Sequence, residues 1–430
     1  MVSNIETMQP RHQGQLRLRM RDLMERQEGE LSTIPYVYSF ASVFFSELWR
    51  SFGLTAVYGE EVAAIPAAKK VAPSWIALAE AEGYSSDVCG YHEIEVGRLV
   101  GGMRHPFFGD MPPPKLVVVN NNCVALIKWG EFLARHYDVP QVTIDVPYRP
   151  TLDHLQDADG DEYHAQKKYV LTQIEELISI LERITGKKFD PDKLAEHEAH
   201  SNRMADLWTA IHRINREIPA VYDATLDGMN MQAVYIGWRG TREGAEYLEV
   251  ALRELEERRE LGIMPLPQER FRLILDGVPC WPSLRSWAQL FHRWNACFVW
   301  AHFMSFAPGG MDRGFRFDTS RPVESMADYE LALNLGKGGI TNAFGYHRWP
   351  QFIADYKADG IVFHATKGCR VVSPWMPSLR EHLVQQGIPA LVLDGDHADA
   401  RYYSEAQVKN RVDAFLEALE SKKLAQQREG

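Results

Sequence analysis

Short apolar runs alternate with segments of helical spacing along much of the chain. Leu116–Val119 is an aliphatic run of the kind that forms a buried strand. Ala125–Tyr137 follows with apolar residues at helical spacing, and Gln141–Val146 is a second strand-like run that Pro147 ends. A strand, a helix and a second strand in this order are typical of a parallel sheet. The pattern therefore predicts an α/β lobe in this part of the chain.

The same pattern returns after residue 270, so we predict a second parallel-sheet lobe. Its strand-like runs lie at 271–277, 295–303, 359–364 and 388–394, and a helix is predicted from Ser404 onward. Between the lobes, an acidic stretch at 151–162 precedes long segments with i, i+3, i+4 apolar spacing, which predict amphipathic helices. We therefore expect a helical N-terminal region (1–60), a first α/β lobe (61–150), a helical segment (151–262) and a second α/β lobe with a C-terminal helix (263–430).

Size and charge narrow the class of protein. A chain of 430 residues is too long for one simple core. Its formal net charge of −11 disfavours a large nucleic-acid or anionic-membrane interface, which needs a basic surface. No apolar run is long enough to span a bilayer, and the polar N-terminus does not resemble a signal peptide. We expect a cytoplasmic protein that binds neither nucleic acid nor membrane.

Five cysteines are the first candidates for chemistry. Their odd number, long spacing and lack of a CxxC pair indicate neither a disulfide framework nor a zinc ribbon. Cys123, Cys280 and Cys369 follow strand-like runs, where ligands bind in parallel sheets, and Cys89 precedes a predicted helix. Cys297 lies inside a strand-like run and is interpreted as a packing residue. Because a free cysteine is usually a small buried hydrophobe, the residues alone do not identify which are ligands.

Other segments carry weaker signals. His364 and His397 lie at strand ends, where they fit acid–base or substrate-binding roles, or a structural hydrogen bond. The stretch DGDHADARYY (394–403) fits a metal loop and a capped turn equally well. The glycines and arginines of 235–248 suit a phosphate at a helix N-terminus, but no GxGxxG or Walker motif is present. ATP hydrolysis, where needed, would therefore come from another chain.

Five stretches together resemble a known family, the subunits of benzoyl-CoA reductases and 2-hydroxyacyl-CoA dehydratases. The resemblance runs from residue 87 to the C-terminal helix. It is carried by DVCGYHEIEVG (87–97), NNNCVALIKWGEFLARHYDVPQVTIDVPY (120–148), DGVPCWPSLRSWAQLF (276–291), ADGIVFHATKGCR (358–370) and IPALVLDGDHADARYYSEAQVKNRVDAFLEAL (388–419). The segment 235–262 and the helical middle are similar to the larger cluster-binding (B/O-type) subunit of ATP-dependent benzoyl-CoA reductases.

The resemblance implies a cofactor and its ligands. It implies two Rossmann-like lobes with a [4Fe-4S] cluster between them, held by thiolates at the positions of Cys89, Cys123 and Cys369. Cys280 matches a position outside the usual ligands. Thiolate is the soft ligand that such clusters need, and three ligands leave one iron open to substrate. His364 is the candidate proton donor to substrate, and the alternative is that it hydrogen-bonds a loop.

The resemblance also implies a function and partners. The implied function is ATP-dependent one-electron reduction of benzoyl-CoA to a cyclic dienoyl-CoA. One alternative is an (R)-2-hydroxyacyl-CoA dehydratase subunit, a lyase that works by a ketyl radical. Another is an electron-transfer or structural subunit whose homologous partner binds the substrate; the double-cubane relatives normally have more cysteines. The implied partners are a homologous cluster-binding subunit, an ATP-hydrolysing activator or electron donor with a bridging [4Fe-4S] cluster, and the CoA-thioester substrate.

Overall fold

The computed structural model describes residues 13–40, 45–147, 160–306, 314–334 and 348–429. Two stretches used above lie outside these ranges. They are the polar N-terminus up to residue 12 and most of the acidic stretch, 151–159.

Two four-stranded sheets form the framework, and every strand pair in them is parallel. The first sheet has the order β2-β1-β3-β4, and the second has the order β6-β5-β7-β8. The strands are β1 Tyr36–Ser39, β2 Thr55–Tyr58, β3 Leu116–Asn120, β4 Gln141–Ile144, β5 Phe271–Asp276, β6 Ala296–Ala301, β7 Gly360–Thr366 and β8 Ala390–Gly395. The prediction of an α/β fold with two Rossmann-like parallel-sheet lobes is confirmed.

Helices connect and cover the strands. The described α-helices are α1 Gln13–Thr33, α2 Ser46–Ser51, α3 Gly59–Ala68, α4 Ala72–Ala81, α5 Gly90–Val100, α6 Val124–Tyr137, α7 Asp161–Thr185, α8 Pro191–Ile214, α9 Met229–Gly237, α10 Arg242–Leu261, α11 Leu284–His292, α12 His302–Phe306, α13 Pro322–Asn334, α14 Arg348–Asp355, α15 Met376–Gln385 and α16 Glu405–Glu429. Predicted helices in the middle segment and at the C-terminus are among them.

The shared strand order creates an equivalent crevice in each lobe. In each sheet, the first strand in the chain pairs with the second on one side and with the third on the other. The connections therefore leave toward opposite sides, and a crevice opens at the carboxyl ends of the two central strands. These central strands are β1 and β3 in the first lobe, and β5 and β7 in the second. The loops after β3 and β7 each carry one of the predicted ligand cysteines.

The first sheet begins earlier in the chain than the sequence suggested. We expected mainly helices in 1–60, but β1 and β2 lie there. Both strands are only four residues long, too short to show an alternating pattern, and the burial of YVYS is complete. Val37 of β1 pairs with Leu116 of β3, so tertiary pairing defines this strand. The domain boundaries proposed above otherwise remain predictions.

The helical segment has well-defined helix ends and packs on the first lobe. Asp190 caps α8 by accepting backbone N–H bonds from Asp192 and Lys193, and Thr241 caps α10. Gly262 ends α10 in the left-handed conformation, φ 67°. These local signals explain why sequence spacing located the two helices correctly.

A buried ion pair fastens the helical segment to the first lobe. Arg239, after α9, lies 2.8 Å from the Glu47 carboxylate of α2, and both side chains are buried. Arg239 also donates to the hydroxyl of Tyr329 on α13 at 2.5 Å. One apolar core extends from the first sheet through these helices to the second sheet. Within the described ranges, no helix is long and apolar enough to cross a membrane.

Candidate functional site

Cys123 lies at the carboxyl end of β3, at the first turn of α6. Its backbone is extended, and it is the N-cap residue of the helix. Its side chain makes no cap hydrogen bond, but the nearby backbone N–H groups of Ala125 and Leu126 act to lower the pKa of the thiol. The positive end of the helix dipole and these donors favour a thiolate here, although burial opposes it.

Asn120, the last residue of β3, holds the loop that carries Cys123. Its side-chain oxygen accepts the backbone N–H of Asn122 at 3.2 Å. Its side-chain nitrogen donates to Glu330 of α13 at 3.3 Å. Burial raises the pKa of Glu330 to about 8, against the lowering effects of Asn120 and Arg239, so this carboxyl is mainly protonated at neutral pH. Through Asn120, the loop is therefore fixed to α13 by a buried hydrogen bond to Glu330.

Cys89 occupies the equivalent position at the start of α5. It is the N-cap residue in extended conformation, and the nearby backbone N–H of Tyr91 acts to lower the pKa of its thiol. A second contact comes from the other lobe, where His397 Nε2 lies 3.5 Å from Cys89 Sγ. His397 belongs to the loop after β8, so the pair joins segments 308 positions apart in the chain.

Cys369 lies in the turn after β7, where the two lobes are in direct contact. Its sulfur accepts the N–H of Val372 at 3.4 Å. The preceding Gly368 packs so tightly that a Cβ atom there would lie 2.5 Å from the carbonyl oxygen of Val88 and 3.1 Å from Cα of Cys89. Only glycine permits this approach, which places the Cys369 loop against the Cys89 loop.

The three thiols influence one another electrostatically. Burial raises the pKa of Cys89 well above its ordinary value, and negative charge on Cys123, Cys369 and Asp396 would raise it further. Burial and the charge of Cys369 raise the pKa of Cys123 to about 11. Without a nearby cation, the Cys89 and Cys123 thiols stay protonated at neutral pH. A raised Cys89 pKa also disfavours a thiolate–imidazolium nucleophile with His397.

The loop after β8 is a capped turn that packs over the site. Asp396 Oδ1 accepts the backbone N–H groups of Ala398 and Asp399 at 2.8 and 2.9 Å. Burial acts to raise the pKa of Asp396, but His397 and the backbone donors outweigh burial and leave it below its ordinary value. Of the two interpretations of DGDHADARYY, the structure favours the capped turn, because the carboxylate is used by its own loop.

Ion pairs near the protein surface link the two lobes close to the cysteines. Lys367 Nζ lies 3.3 Å from Asp87 Oδ1 and donates to the hydroxyl of Tyr402 at 2.6 Å. Arg401 is paired with Glu80 at 2.7 Å. These contacts join the two lobes around the cysteines.

The remaining cysteines have other surroundings. Cys280 is buried at the end of the loop after β5; burial raises the pKa of its thiol to about 12, and the Ser283 N–H donates to its carbonyl oxygen. Cys297 is buried in β6, 3.9 Å from the Tyr222 carbonyl oxygen, as a packing residue.

His364 is in β7, where its ring is hydrogen-bonded to a loop. Its Nδ1 lies 2.5 Å from the carbonyl oxygen of Val278, and the opposite edge of the ring packs on Gly395. Burial lowers the pKa of His364. This contact corresponds to the loop-bonding alternative, and proton donation to substrate stays a prediction.

The candidate phosphate segment 235–248 has its charged groups occupied. Arg239 is paired with Glu47, and Arg242 donates to Glu246 at 2.8 Å. The N–H of Gly244 bonds to the Thr241 hydroxyl. This segment therefore stabilises the helical region.

The site thus unites Cys89, Cys123 and Cys369 with His397. Sequence reasoning treated His397 as a weak candidate and missed its contact with Cys89; its place after a strand end was the available signal. Among the described side chains, no group of three His, Cys, Asp or Glu residues is arranged to hold a metal ion. The three thiols interact electrostatically without converging on a site for a single ion.

Comparison with known proteins gives a consistent result. The family model for the 2-hydroxyglutaryl-CoA dehydratase D-component matches residues 42–419. The B subunit of benzoyl-CoA reductase from Thauera aromatica is 30% identical over 375 residues, which cover 83% of this chain and 82% of that protein.

Two further relatives are named as dehydratase subunits. The (R)-phenyllactyl-CoA dehydratase alpha subunit of Clostridium sporogenes is 30% identical over 392 residues, 90% of each chain. The alpha subunit of (R)-2-hydroxyglutaryl-CoA dehydratase from Acidaminococcus fermentans is 32% identical over 314 residues, 72% of this chain and 61% of that protein. The chain therefore belongs to the 2-hydroxyglutaryl-CoA dehydratase D-component family, which these reductase and dehydratase subunits share.

Proposed function

We propose that this chain is the iron–sulfur subunit of an enzyme that reduces an aromatic CoA thioester, with benzoyl-CoA as the first candidate substrate. The observation that carries the proposal is that three half-buried thiols from two lobes lie close enough to influence one another electrostatically. Cys123 and Cys369 follow the central strands of the two sheets, and Cys89 lies against the Cys369 loop. Membership of a family that includes a benzoyl-CoA reductase subunit supports the same assignment.

The residues present fit a [4Fe-4S] cluster. The sulfur of Cys369 accepts the backbone N–H of Val372, and Cys89 and Cys123 stand at helix N-termini, where the helix dipole suits a thiolate ligand. A cluster binds its thiolates at separate irons, so its ligands stand farther apart than the ligands of a single ion. The electrostatic influence of the three cysteines on one another, without a site for a single ion among the described side chains, is consistent with this wider spacing.

The protein residues have separate tasks in this proposal. Cys89, Cys123 and Cys369 would hold the cluster, which when bound supplies single electrons at low potential to the thioester. Asn120 and Glu330 position the Cys123 loop. In the overall reaction, benzoyl-CoA takes up two electrons and two protons and becomes a cyclic dienoyl-CoA.

The dehydratase reaction is the second candidate. It is favoured by the family description and by the names of two of the relatives above. Loss of water from a 2-hydroxyacyl-CoA is redox-neutral, so the electron that starts a turnover is recovered at its end. Net electron consumption therefore separates the two reactions.

Both candidate functions, the reductase and the dehydratase, imply partner chains. The relatives above are named as subunits, so we expect a homologous subunit next to this one. The sequence has no Walker motif, and we expect ATP hydrolysis in a separate activator or electron-donor chain with its own cluster. A cytoplasmic location is part of the proposal.

The test is iron and acid-labile sulfide analysis with EPR on the complex, co-expressed with its operon partners under anaerobic conditions. Wild type is compared with C89A, C123A and C369A, and C280A is the matched control, since Cys280, like Cys123 and Cys369, lies in a loop after a strand. We expect about four irons per chain, lost in each of the three variants and kept in C280A. Iron retained in the three variants would contradict the ligand assignment.

Substrate assays then distinguish the reactions. Benzoyl-CoA and a 2-hydroxyacyl-CoA are each supplied with ATP and a limiting amount of reductant. Two electrons consumed per benzoyl-CoA support the reductase. Many turnovers of the hydroxyacyl-CoA per electron would replace it with the dehydratase.

A further inference from the structure

We propose that His397 donates a hydrogen bond from Nε2 to the sulfur of Cys89 and thereby raises the reduction potential of the cluster that Cys89 holds. This inference rests on the proposed function. It assigns a positioning and tuning role to a residue of the second lobe that acts on a ligand of the first lobe.

The His397 ring is fixed in place by its surroundings. It is 1% exposed, and its Nε2 lies 3.5 Å from Cys89 Sγ, within the range of hydrogen bonds to sulfur. The ring of Tyr91 packs edge-on at a centroid distance of 4.0 Å. The His397 carbonyl oxygen accepts the Trp281 N–H at 3.1 Å, and the Trp281 indole donates to the Tyr91 hydroxyl. Few other ring positions are open to this side chain.

Chemistry decides the direction of the bond. A cysteine that binds iron is a thiolate and carries no proton, so the hydrogen must belong to Nε2. The other ring nitrogen, Nδ1, is buried and has no hydrogen-bond partner among the described residues; the Asp396 Oδ1 carboxylate oxygen is 3.7 Å away. The sulfur is therefore the partner that satisfies the polar edge of this buried ring.

Donation to a ligand sulfur has a definite electronic consequence. A hydrogen bond to a cluster sulfur stabilises the reduced, more negative state more than the oxidised one, so it raises the potential. The backbone N–H of Val372 donates to the sulfur of Cys369, and the backbone N–H groups that lower the pKa of Cys89 and Cys123 likewise stay in place when their side chains are substituted. His397 is therefore the donor through which this potential can be changed by mutation.

The first measurement compares H397L and H397Q with wild type in the anaerobically purified complex. Iron content is determined, and the potential is measured by EPR-monitored redox titration. We expect full iron in both variants, a shift to lower potential in H397L and a smaller shift in H397Q, whose amide can still donate. An unchanged potential in iron-replete H397L would overturn the inference.

The second measurement looks for the hydrogen bond in the wild-type complex itself and uses variants only to assign the signal. Wild-type complex labelled with ¹⁵N-histidine is reduced and studied by pulsed EPR. We expect a weak coupling to one histidine nitrogen, with a neighbouring proton that exchanges in D₂O. The coupling should be absent in H397Q and present in H382Q, the control at a histidine of α15. An iron-replete wild type without the coupling refutes the hydrogen bond alone, whereas a wild type without iron refutes the proposed function as well.

Discussion

Glu198 offers a quantitative test of the buried charge arrangement in the helical segment. It lies in α8, fully buried, and neither carboxylate oxygen has a hydrogen-bond partner within the described part of the chain. Burial, with the charges of Glu47 and Asp318, raises its pKa to about 9 despite the opposing effect of Arg239. The side chain is therefore protonated in the folded protein at neutral pH. Glu198→Gln keeps its shape and removes the titration.

The size of the effect follows from proton linkage. The unfolded chain ionises this group near its ordinary pKa of 4.5, so between pH 4.5 and 9 the folded state binds one more proton. The stability contributed by this proton is fully present below pH 4.5 and is lost as pH rises toward 9. In this range the free energy of unfolding falls by about 1.4 kcal/mol per pH unit, or by about 2.7 kcal/mol between pH 6 and pH 8. E198Q lacks this slope.

The assay is urea denaturation followed by tryptophan fluorescence at pH 6, 7 and 8. The free energy of unfolding of E198Q, taken relative to that of wild type, should rise by about 2.7 kcal/mol from pH 6 to pH 8. Glu196 is exposed on the same helix and supplies the control. The free energy of unfolding of E196Q should change with pH as that of wild type does. The same pH dependence of the unfolding free energy in E198Q and wild type would refute the reasoning, since it would mean that this carboxyl ionises inside the folded protein.

Three further substitutions test other contacts. G368A should lower both the denaturation midpoint and the iron content, because its Cβ would lie 2.5 Å from a backbone carbonyl of the other lobe; G29A, with open space around it, should do neither. R239M should cost about 3–5 kcal/mol in urea denaturation by leaving Glu47 buried without its partner, and an R239M–E47L double variant should recover part of the loss; equal stability of R239M and wild type would contradict the pairing. K367A should leave the midpoint unchanged, because its ion pair is exposed to water; a large drop would mean that the surface ion pairs hold the lobes together.

The sequence predicted those elements whose signals are local. The helices α8 and α10 have strong caps and amphipathic spacing, and β3, β5, β7 and β8 are clear apolar runs. The strands β1 and β2 were not predicted. Four residues are too few to show a pattern of apolar and polar positions, and their pairing partners lie elsewhere in the chain.

The candidate site depended on long-range contacts that spacing does not encode. Strand ends indicated Cys123 and Cys369 as loop residues, but they indicated Cys280 equally well. The resemblance to a family, and not periodicity, selected Cys89 in its place. The contact between His397 and Cys89 joins two loops of different lobes, and only the folded chain brings them together.

The positions of the three thiols along the chain have a consequence for synthesis. Cys89 and Cys123 leave the ribosome early, but Cys369 follows Cys89 by 280 residues. At roughly 5–20 residues per second, the first two thiols wait roughly 15 to 60 seconds for the third. Any group that needs all three can be inserted only after the second lobe has been made and has docked. During that interval Cys89 and Cys123 lack the third ligand, so maturation depends on how well oxygen and stray metals are kept away from them.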